Sequence, residues 1–407
     1  MKPLRIALVS MHTSPAELPG AGDAGGMNVV ERHHAFALAD LGHHVEFITR
    51  RASPDAPELL ELAPRVTLRH VSAGPPIPLA KSAIDAHIEQ FRQGLSELGP
   101  YDVIHSHHWM SGVAALPLAR DWGIPHVQSY HSVAALPGSP LGQGEPAESP
   151  GRVPGEALLA RESDVVVTIS AAEARTVITR CGADPERVTI VSPGVDLEHF
   201  RPLHPGEEAW APAGDAAYPR GFVFFAARLQ PLKDPELAIR ALARVPAAMR
   251  PHLVVAGDVS ADFADYAADL HALVASLGLT GEVTFSGALR RDELGEALRS
   301  AQIVLVPSHS ETFGLIALEA SASGTPVIAA AAGGLREAVV HGESGQLMDS
   351  REPVDWGRCL TWLLADPQHL AEMGLVSRIH ARRFSWADAG RRLADLYVDL
   401  IAQSARR

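Results

Sequence analysis

Phe222-Val223-Phe224-Phe225-Ala226, followed directly by Ala227-Arg228-Leu229-Gln230-Pro231-Leu232-Lys233-Asp234, reads as a buried strand that opens into a basic loop. An all-apolar run of this length between polar segments is what a strand covered on both faces needs, as in a parallel sheet with helices on either side. The same pattern recurs at His252-Leu253-Val254-Val255-Ala256-Gly257, Val283-Thr284-Phe285, Ile303-Val304-Leu305-Val306-Pro307 and Pro326-Val327-Ile328-Ala329, with longer helical stretches between. Toward the N-terminus it is repeated at Arg5–Val9, His44–Thr49, Val66–Leu68, Tyr101–His105, His126–Gln128 and Asp164–Thr168, enough for a second doubly wound α/β unit. A stretch rich in Pro, Ala and Gly from about Arg201 to Arg220 separates the two series. We therefore expect one domain over 1–200 and another over 201–385, with a cleft between them where ligands bind. From Trp386 to Ala402 the apolar residues Leu393, Leu396, Tyr397, Leu400 and Ile401 make a helical stripe, and periodicity does not say which domain it covers.

The composition sets outer limits. Of 407 residues 46% are hydrophobic and 20% charged, which excludes a disordered chain. Asp and Glu outnumber Lys and Arg by 48 to 35, and the net charge of −13 argues against a general nucleic-acid partner. Ile6-Ala7-Leu8-Val9 is too short for a secretory core, and no run approaches the roughly 18 apolar residues of a membrane helix. Cys181 and Cys359 offer no disulfide framework, as suits a reducing compartment. A cytoplasmic protein is expected, and a homodimer is left open.

Gly20-Ala21-Gly22-Asp23-Ala24-Gly25 matches the dinucleotide fingerprint, but Met11 to Pro19 separate it from its strand and Arg50-Arg51 stand where an acidic ribose ligand belongs. Only a 2′-phosphate would suit those arginines. The better reading is that Gly22, Gly25 and Gly26 let the backbone approach an anionic ligand at the start of a helix opening near Asn28. Histidine is abundant, at 20, and strand alternation puts His105 and His107 on one face. A zinc site needs about four ligands and the cysteines supply no partner motif, so no metal is expected.

Ser10-Met11-His12-Thr13-Ser14-Pro15 with Gly22-Asp23-Ala24-Gly25-Gly26-Met27-Asn28-Val29 resembles the first loop of the retaining GT-B glycosyltransferases, glycosyltransferase family 4. The resemblance extends along nearly the whole chain. It includes Ile104-His105-Ser106-His107, Trp109-Met110-Ser111-Gly112, the interdomain stretch Val191–Asp196 with Phe200-Arg201-Pro202, the basic loop Ala227–Asp234, and Ser310-Glu311-Thr312-Phe313-Gly314-Leu315-Ile316-Ala317-Leu318-Glu319-Ala320. Within the family the chain is most similar to the branch that glycosylates inositol phosphate in mycothiol biosynthesis. The resemblance implies two facing Rossmann-like domains, a C-terminal helix returning to the first, a nucleotide-sugar donor on the second domain, an acceptor on the first, and no required metal or other cofactor. It implies retention of anomeric configuration, by attack from the face the diphosphate leaves.

Without a metal, fixed positive charge must stabilise the departing diphosphate, and Arg228 and Lys233 are placed to do so at the end of their strand. By resemblance Glu311 receives donor-sugar hydroxyls, Glu319 the ribose, and the backbone or side chains of Gly25, Gly26, Phe313, Gly314 and Leu315 complete the donor site. His131 faces the donor sugar near the reacting carbon, useful there as a neutral ring. A UDP-sugar is expected before a GDP-sugar, with UDP-N-acetylglucosamine first. The family's acceptor positions correspond to Asn28, Lys81, His108, Ser132 and Arg152, of which His108 and Ser132 replace a tyrosine and a threonine. Lys81 and Arg152 suit a small, polar, anionic acceptor such as a cyclitol phosphate or sugar phosphate. An aminocyclitol or small thiol from natural-product biosynthesis is the alternative. The Ser310–Gly314 stretch argues against a sugar-nucleotide epimerase on the same paired domains, and the intact Arg228, Lys233 and Glu311 argue against a binding module without catalysis.

Overall fold

The computed structural model describes residues 2–17, 25–135, 149–211, 218–259, 263 and 265–406. Gly20 to Ala24 of the glycine loop, most of the Pro-rich loop after Pro137, and part of the Arg201–Arg220 stretch lie outside the described residues.

The first sheet is built from β1 (Arg5–Val9), β2 (His44–Arg50), β3 (Leu59–Ala63), β4 (Val66–Val71), β5 (Val103–His107), β6 (His126–Ser129), β7 (Val165–Thr168) and β8 (Val188–Ile190). Its order is β3-β4-β2-β1-β5-β6-β7-β8, parallel except for the antiparallel edge strand β3. The second contains β9 (Phe222–Ala226), β10 (His252–Ala256), β11 (Val283–Gly287), β12 (Ile303–Val306), β13 (Val327–Ala330) and β14 (Gly345–Met348). Its order, β11-β10-β9-β12-β13-β14, is the 3-2-1-4-5-6 winding of a Rossmann sheet.

Both faces of each sheet are buried, which is why the strands read as apolar runs rather than alternating ones. In β1, Ala7 and Val9 pack with Ile104, Met110 and Leu159, while Ile6 and Leu8 pack on the other face with Leu38, Val103 and Leu393. In β9, Phe222 and Phe224 face one layer and Val223 and Phe225 the other.

The C-terminal helix, Trp386–Ser404, settles what its periodicity left open. It lies on the first domain's helix Gly26–Asp40, so closely that a Cβ on Gly390 would come within 2.5 Å of Ala37 Cβ. Its Leu393, Tyr397 and Leu400 join Ala35 and Leu38 in one core, and Tyr397 Oη lies 2.6 Å from His105 Nδ1. Phe384 O accepts from Val195 N–H at 3.2 Å, so the two chain crossings between the domains run side by side.

The sequence reading differs from this at several edges. The first helix opens at Gly26 rather than near Asn28, and β5 ends at His107, two residues later than expected. Strands β3, β8 and β14 were not among those expected. Arg50 is buried with its guanidinium donating to Arg51 O, Pro75 O and Ile77 O, so it is structural and leaves no fork for a 2′-phosphate.

Candidate active site

In each sheet the winding reverses between neighbouring strands, β1 and β5 in the first, β9 and β12 in the second. Open α/β sheets bind ligands beyond the carboxyl ends of such strands. The loops that leave them are Ser10–Pro15, His108, Ala227–Asp234 and Pro307–Gly314, which carry or adjoin most of the residues singled out in the sequence.

On the first domain, Asn28 ties Gly25 to Thr13 and Ser14. Its Nδ2 donates to Thr13 Oγ1 at 3.0 Å and Ser14 O at 2.8 Å, and its Oδ1 accepts from Gly25 N–H at 3.0 Å. His108 leaves β5 at φ 68°, with its ring buried, both ring nitrogens without a hydrogen-bond partner, and the His12 ring 4.2 Å away. Arg152 opens the helix Arg152–Glu162 and donates from Nε to Glu156 Oε1 at 2.9 Å and from Nη2 to Ser132 Oγ at 3.0 Å. Burial, followed by the charges of Lys81, Arg152 and Arg228 among others, pushes His12 well below the usual histidine range. Charges from two first-domain helices and from the second domain thus all bear on the His12 ring.

His131 follows β6 at φ 58°, and burial pushes its pKa down to about 3, so the ring is neutral. Its Nε2 lies 2.8 Å from His107 Nδ1.

The second domain presents a more fully paired surface. Lys233 Nζ donates to Glu311 Oε1 at 2.6 Å, and Ser308 Oγ donates to the same oxygen at 2.9 Å. Asp234 caps the helix Pro235–Leu242 by accepting from Leu237 N–H at 3.0 Å, and is held in turn by Arg351 and His309. Glu319, in the helix Leu315–Ala322, is pushed up to about 7 by burial, against the attraction of Arg291 at 3.9 Å. The Glu311 loop rests on Gly333 and Gly334: a Cβ on Gly333 would meet Glu311 O at 2.0 Å, and Gly334 N–H donates to that oxygen at 2.9 Å. Gly314 turns the chain into its helix at φ 97°.

The walls touch across the cleft. Thr312 Oγ1 donates to His131 O at 2.7 Å, Glu337 Oε1 accepts from Ala171 N–H at 2.9 Å, and the Cα of Gly26 faces Leu315, whose Cδ1 a Cβ would meet at 3.5 Å.

Comparison with known proteins decides what this cleft belongs to. Residues 25–194 match the model described as "Glycosyl transferase 4-like domain", and residues 208–378 match "Glycosyl transferases group 1". The chain is 41% identical to the D-inositol 3-phosphate glycosyltransferase of Stackebrandtia nassauensis, over 99% of this chain and 93% of that protein. It is also 41% identical to the enzyme of the same name from Thermobispora bispora, over 99% and 96%. The chain belongs to the GT-B glycosyltransferases. Among solved structures, the sucrose-phosphate synthase of Thermosynechococcus elongatus superposes with a TM-score of 0.86 at 26% identity, covering 98% of this chain and 100% of that one. Anabaena Alr3699/HepE, solved with UDP-glucose, shares the fold at a TM-score of 0.74 and 19% identity, over 97% and 100%.

Two sequence-predicted residues of this glycosyltransferase have their side chains committed elsewhere. Phe313 is buried in the second domain's core, its ring edge-on to Phe384 at 5.5 Å, so only its backbone is available to a donor. Asn28 is buried, its carboxamide already bonded to the loop. Gly26 and Leu315 face one another across the cleft, Lys233 and Glu311 are bonded together, and the charges of Lys81, Arg152 and Arg228 bear on His12. Sequence reading missed Glu31 and Thr312; Glu31 is one of two acidic residues in its helix, with Asp40, and nothing nearby signals its burial. Among the described residues of the glycosyltransferase no helix is long and apolar enough to cross a membrane.

Proposed function

We propose that the enzyme transfers a sugar, N-acetylglucosamine first, from a UDP-sugar to the hydroxyl of a small phosphorylated polyol of the inositol phosphate class, with retention of configuration and without a required metal. The observation that carries this reading is the placing of Arg152, bonded to Ser132 and Glu156, and of Lys233, bonded to Glu311, on facing walls that the Thr312–His131 bond joins, with the charges of Lys81 and Arg228 also bearing on His12. Two anions, a leaving diphosphate and an acceptor phosphate, call for such clustered positive charge. Relatives at 41% identity are named for an inositol phosphate acceptor, and a neighbour of like fold was solved with UDP-glucose.

In this reading the first domain, 1–200 with 386–407, binds the acceptor and the second, 201–385, the donor. Arg228 and Lys233 stabilise the diphosphate as the glycosidic bond lengthens, Lys233 being already oriented by Glu311. Glu311 and the 312–315 backbone receive the sugar and phosphates, and Glu319 accepts from the ribose. The uncharged His131 ring faces the anomeric carbon, where an imidazolium would oppose the developing sugar cation. The acceptor hydroxyl attacks the face the diphosphate leaves, and a phosphate oxygen takes its proton. Lys81 and Arg152 grip the acceptor phosphate, with His108 and Ser132 beside it. No step needs a secretory or membrane setting, so we place the enzyme in the cytoplasm.

The test compares 1L-myo-inositol 1-phosphate with free inositol as acceptors for the parent, Lys81→Ala and Arg152→Ala. Strong preference for the phosphate in the parent, lost in both variants, is expected. Equal use of both acceptors by the parent would reject the phosphate pocket in favour of an aminocyclitol or thiol acceptor.

A further inference from the structure

Behind the sugar-facing side of His131 the interior holds a carboxyl group whose neighbouring hydroxyl, on Ser10, donates instead to Thr13 O at 3.0 Å. Glu31, from the helix Gly26–Asp40, is fully buried, and neither Oε1 nor Oε2 has a hydrogen-bond partner. Oε1 points at His107 Nδ1, 3.7 Å away, at the end of β5. The same Nδ1 lies 2.8 Å from His131 Nε2. One atom of each residue lies within 4.8 Å of the other two.

The convergence is unlike a proton relay. A relay enters an imidazole at one nitrogen and leaves at the other, whereas here both neighbours face the same nitrogen of His107. That nitrogen has one hydrogen to donate or one lone pair to accept with, so it makes a full hydrogen bond to Glu31 or to His131 but not to both. A cation satisfies all three groups at once. Burial keeps both histidines uncharged, the form in which imidazole ligates, and holds the Glu31 carboxyl well above the usual carboxylate range; an ion bound there would displace that proton, leaving a carboxylate to offset part of the ion's charge.

We propose that Glu31, His107 and His131 form a binding site for one divalent transition-metal ion of the zinc class, drawn from three separate elements of the first domain. Two imidazole nitrogens and one carboxylate are a zinc donor set, with bonds of about 2.0–2.2 Å that small side-chain rotations from the present spacing would reach. Three protein ligands leave a fourth position for water. Glu31 and His107 are buried but His131 is partly exposed, so the ion enters from the cleft. Occupancy ties up His131 Nε2 and sets a positive charge behind the reacting carbon, so the metal inhibits. This consequence, unlike the binding, rests on the role proposed above for His131.

The experiment uses the full chain freed of metal by chelation. Titration with zinc chloride alone should show one tightly held ion per chain, and cobalt(II) in its place should give the visible bands of a low-coordinate nitrogen and oxygen site. Second-shell changes alone weaken metal sites about 10–100-fold, so Glu31→Gln and His107→Asn should each lower zinc affinity by at least about 100-fold. Sugar transfer by the parent should fall as zinc occupancy rises and return with chelator. Zinc binding at less than one ion per chain, an octahedral cobalt spectrum, or equal affinity in the parent and both variants would overturn the site. The cobalt spectrum of the parent decides the matter even where a variant does not fold. Zinc held at the site with transfer undiminished would leave the site standing and overturn the position of His131 beside the sugar.

Discussion

The two walls of the cleft handle charge in opposite ways. On the second domain the ionisable groups are paired: Lys233 with Glu311, Asp234 with Arg351 and His309, Glu319 with Arg291. On the first domain Arg152 is paired with Glu156, but His12, His34, His107, His108 and Glu31 carry ring nitrogens or carboxyl oxygens with no hydrogen-bond partner. A diphosphate needs donors fixed before it arrives, and Lys233 is fixed by a carboxylate that still has a second oxygen to offer a sugar. In the proposed reaction the useful surface beside the developing sugar cation is an uncharged one. Burial achieves this by stripping the histidines of their protons, at the cost of polar atoms left unsatisfied.

The sharpest break in this contrast comes from the paired wall. Lys233→Ala removes a preorganised donor and should lower turnover by about 10²- to 10³-fold, measured by UDP release at saturating acceptor. A rate near the parent's would mean the diphosphate is held elsewhere. Next in size is the support beneath Glu311. Gly333→Ala places a methyl group 2.0 Å from Glu311 O and should cost about 1–3 kcal/mol in denaturant unfolding. Gly123→Ala, at a similar positive φ but with nothing within 4 Å, should cost less. If the two variants cost the same, backbone strain rather than close packing explains the glycine.

The unpaired wall predicts a smaller change of opposite sign. His108→Phe removes two buried nitrogens without partners and should stabilise the free protein by about 1 kcal/mol while weakening the acceptor. Loss of stability with acceptor affinity intact would show the ring to be structural. The smallest effect concerns pH. Glu319 titrates at about 7 in the folded protein, above the roughly 4.3 of an unfolded chain. A raised carboxyl pKa means that folding favours the protonated form, so stability falls as pH rises from the unfolded value through about 7. Without donor, the parent should lose melting temperature relative to Glu319→Gln between pH 5 and 8. Donor affinity should rise over the same range in the parent only, since the ribose hydroxyls bond best to the ionised carboxylate. Parallel melting curves would remove the buried charge from the account.

The central strands were legible because burial on both faces writes them as unbroken apolar runs, as at Phe222–Ala226 and Ile303–Val306. The edges were not. β14, Gly345-Gln346-Leu347-Met348, has no such run, and Leu59–Ala63 of β3 has the leucines, glutamate and alanine of a helix former. The Ser310–Gly314 loop was legible as a motif, but which of its side chains are free of the core was not. Phe313 lies within the motif and points into the core. The cluster of Glu31, His107 and His131 could not be read at all, because its members are far apart in sequence and meet only through the sheet order that sets β5 between β1 and β6.

The most direct test of the whole account is the product formed from UDP-N-acetylglucosamine, whose sugar is α-linked, and 1L-myo-inositol 1-phosphate. The account predicts a glycosylated inositol phosphate whose anomeric proton shows the small coupling of an α linkage, as retention on this cleft requires. A large diaxial coupling, marking an inverted β product, would contradict same-face attack and the roles given to His131, Arg228 and Lys233 with it.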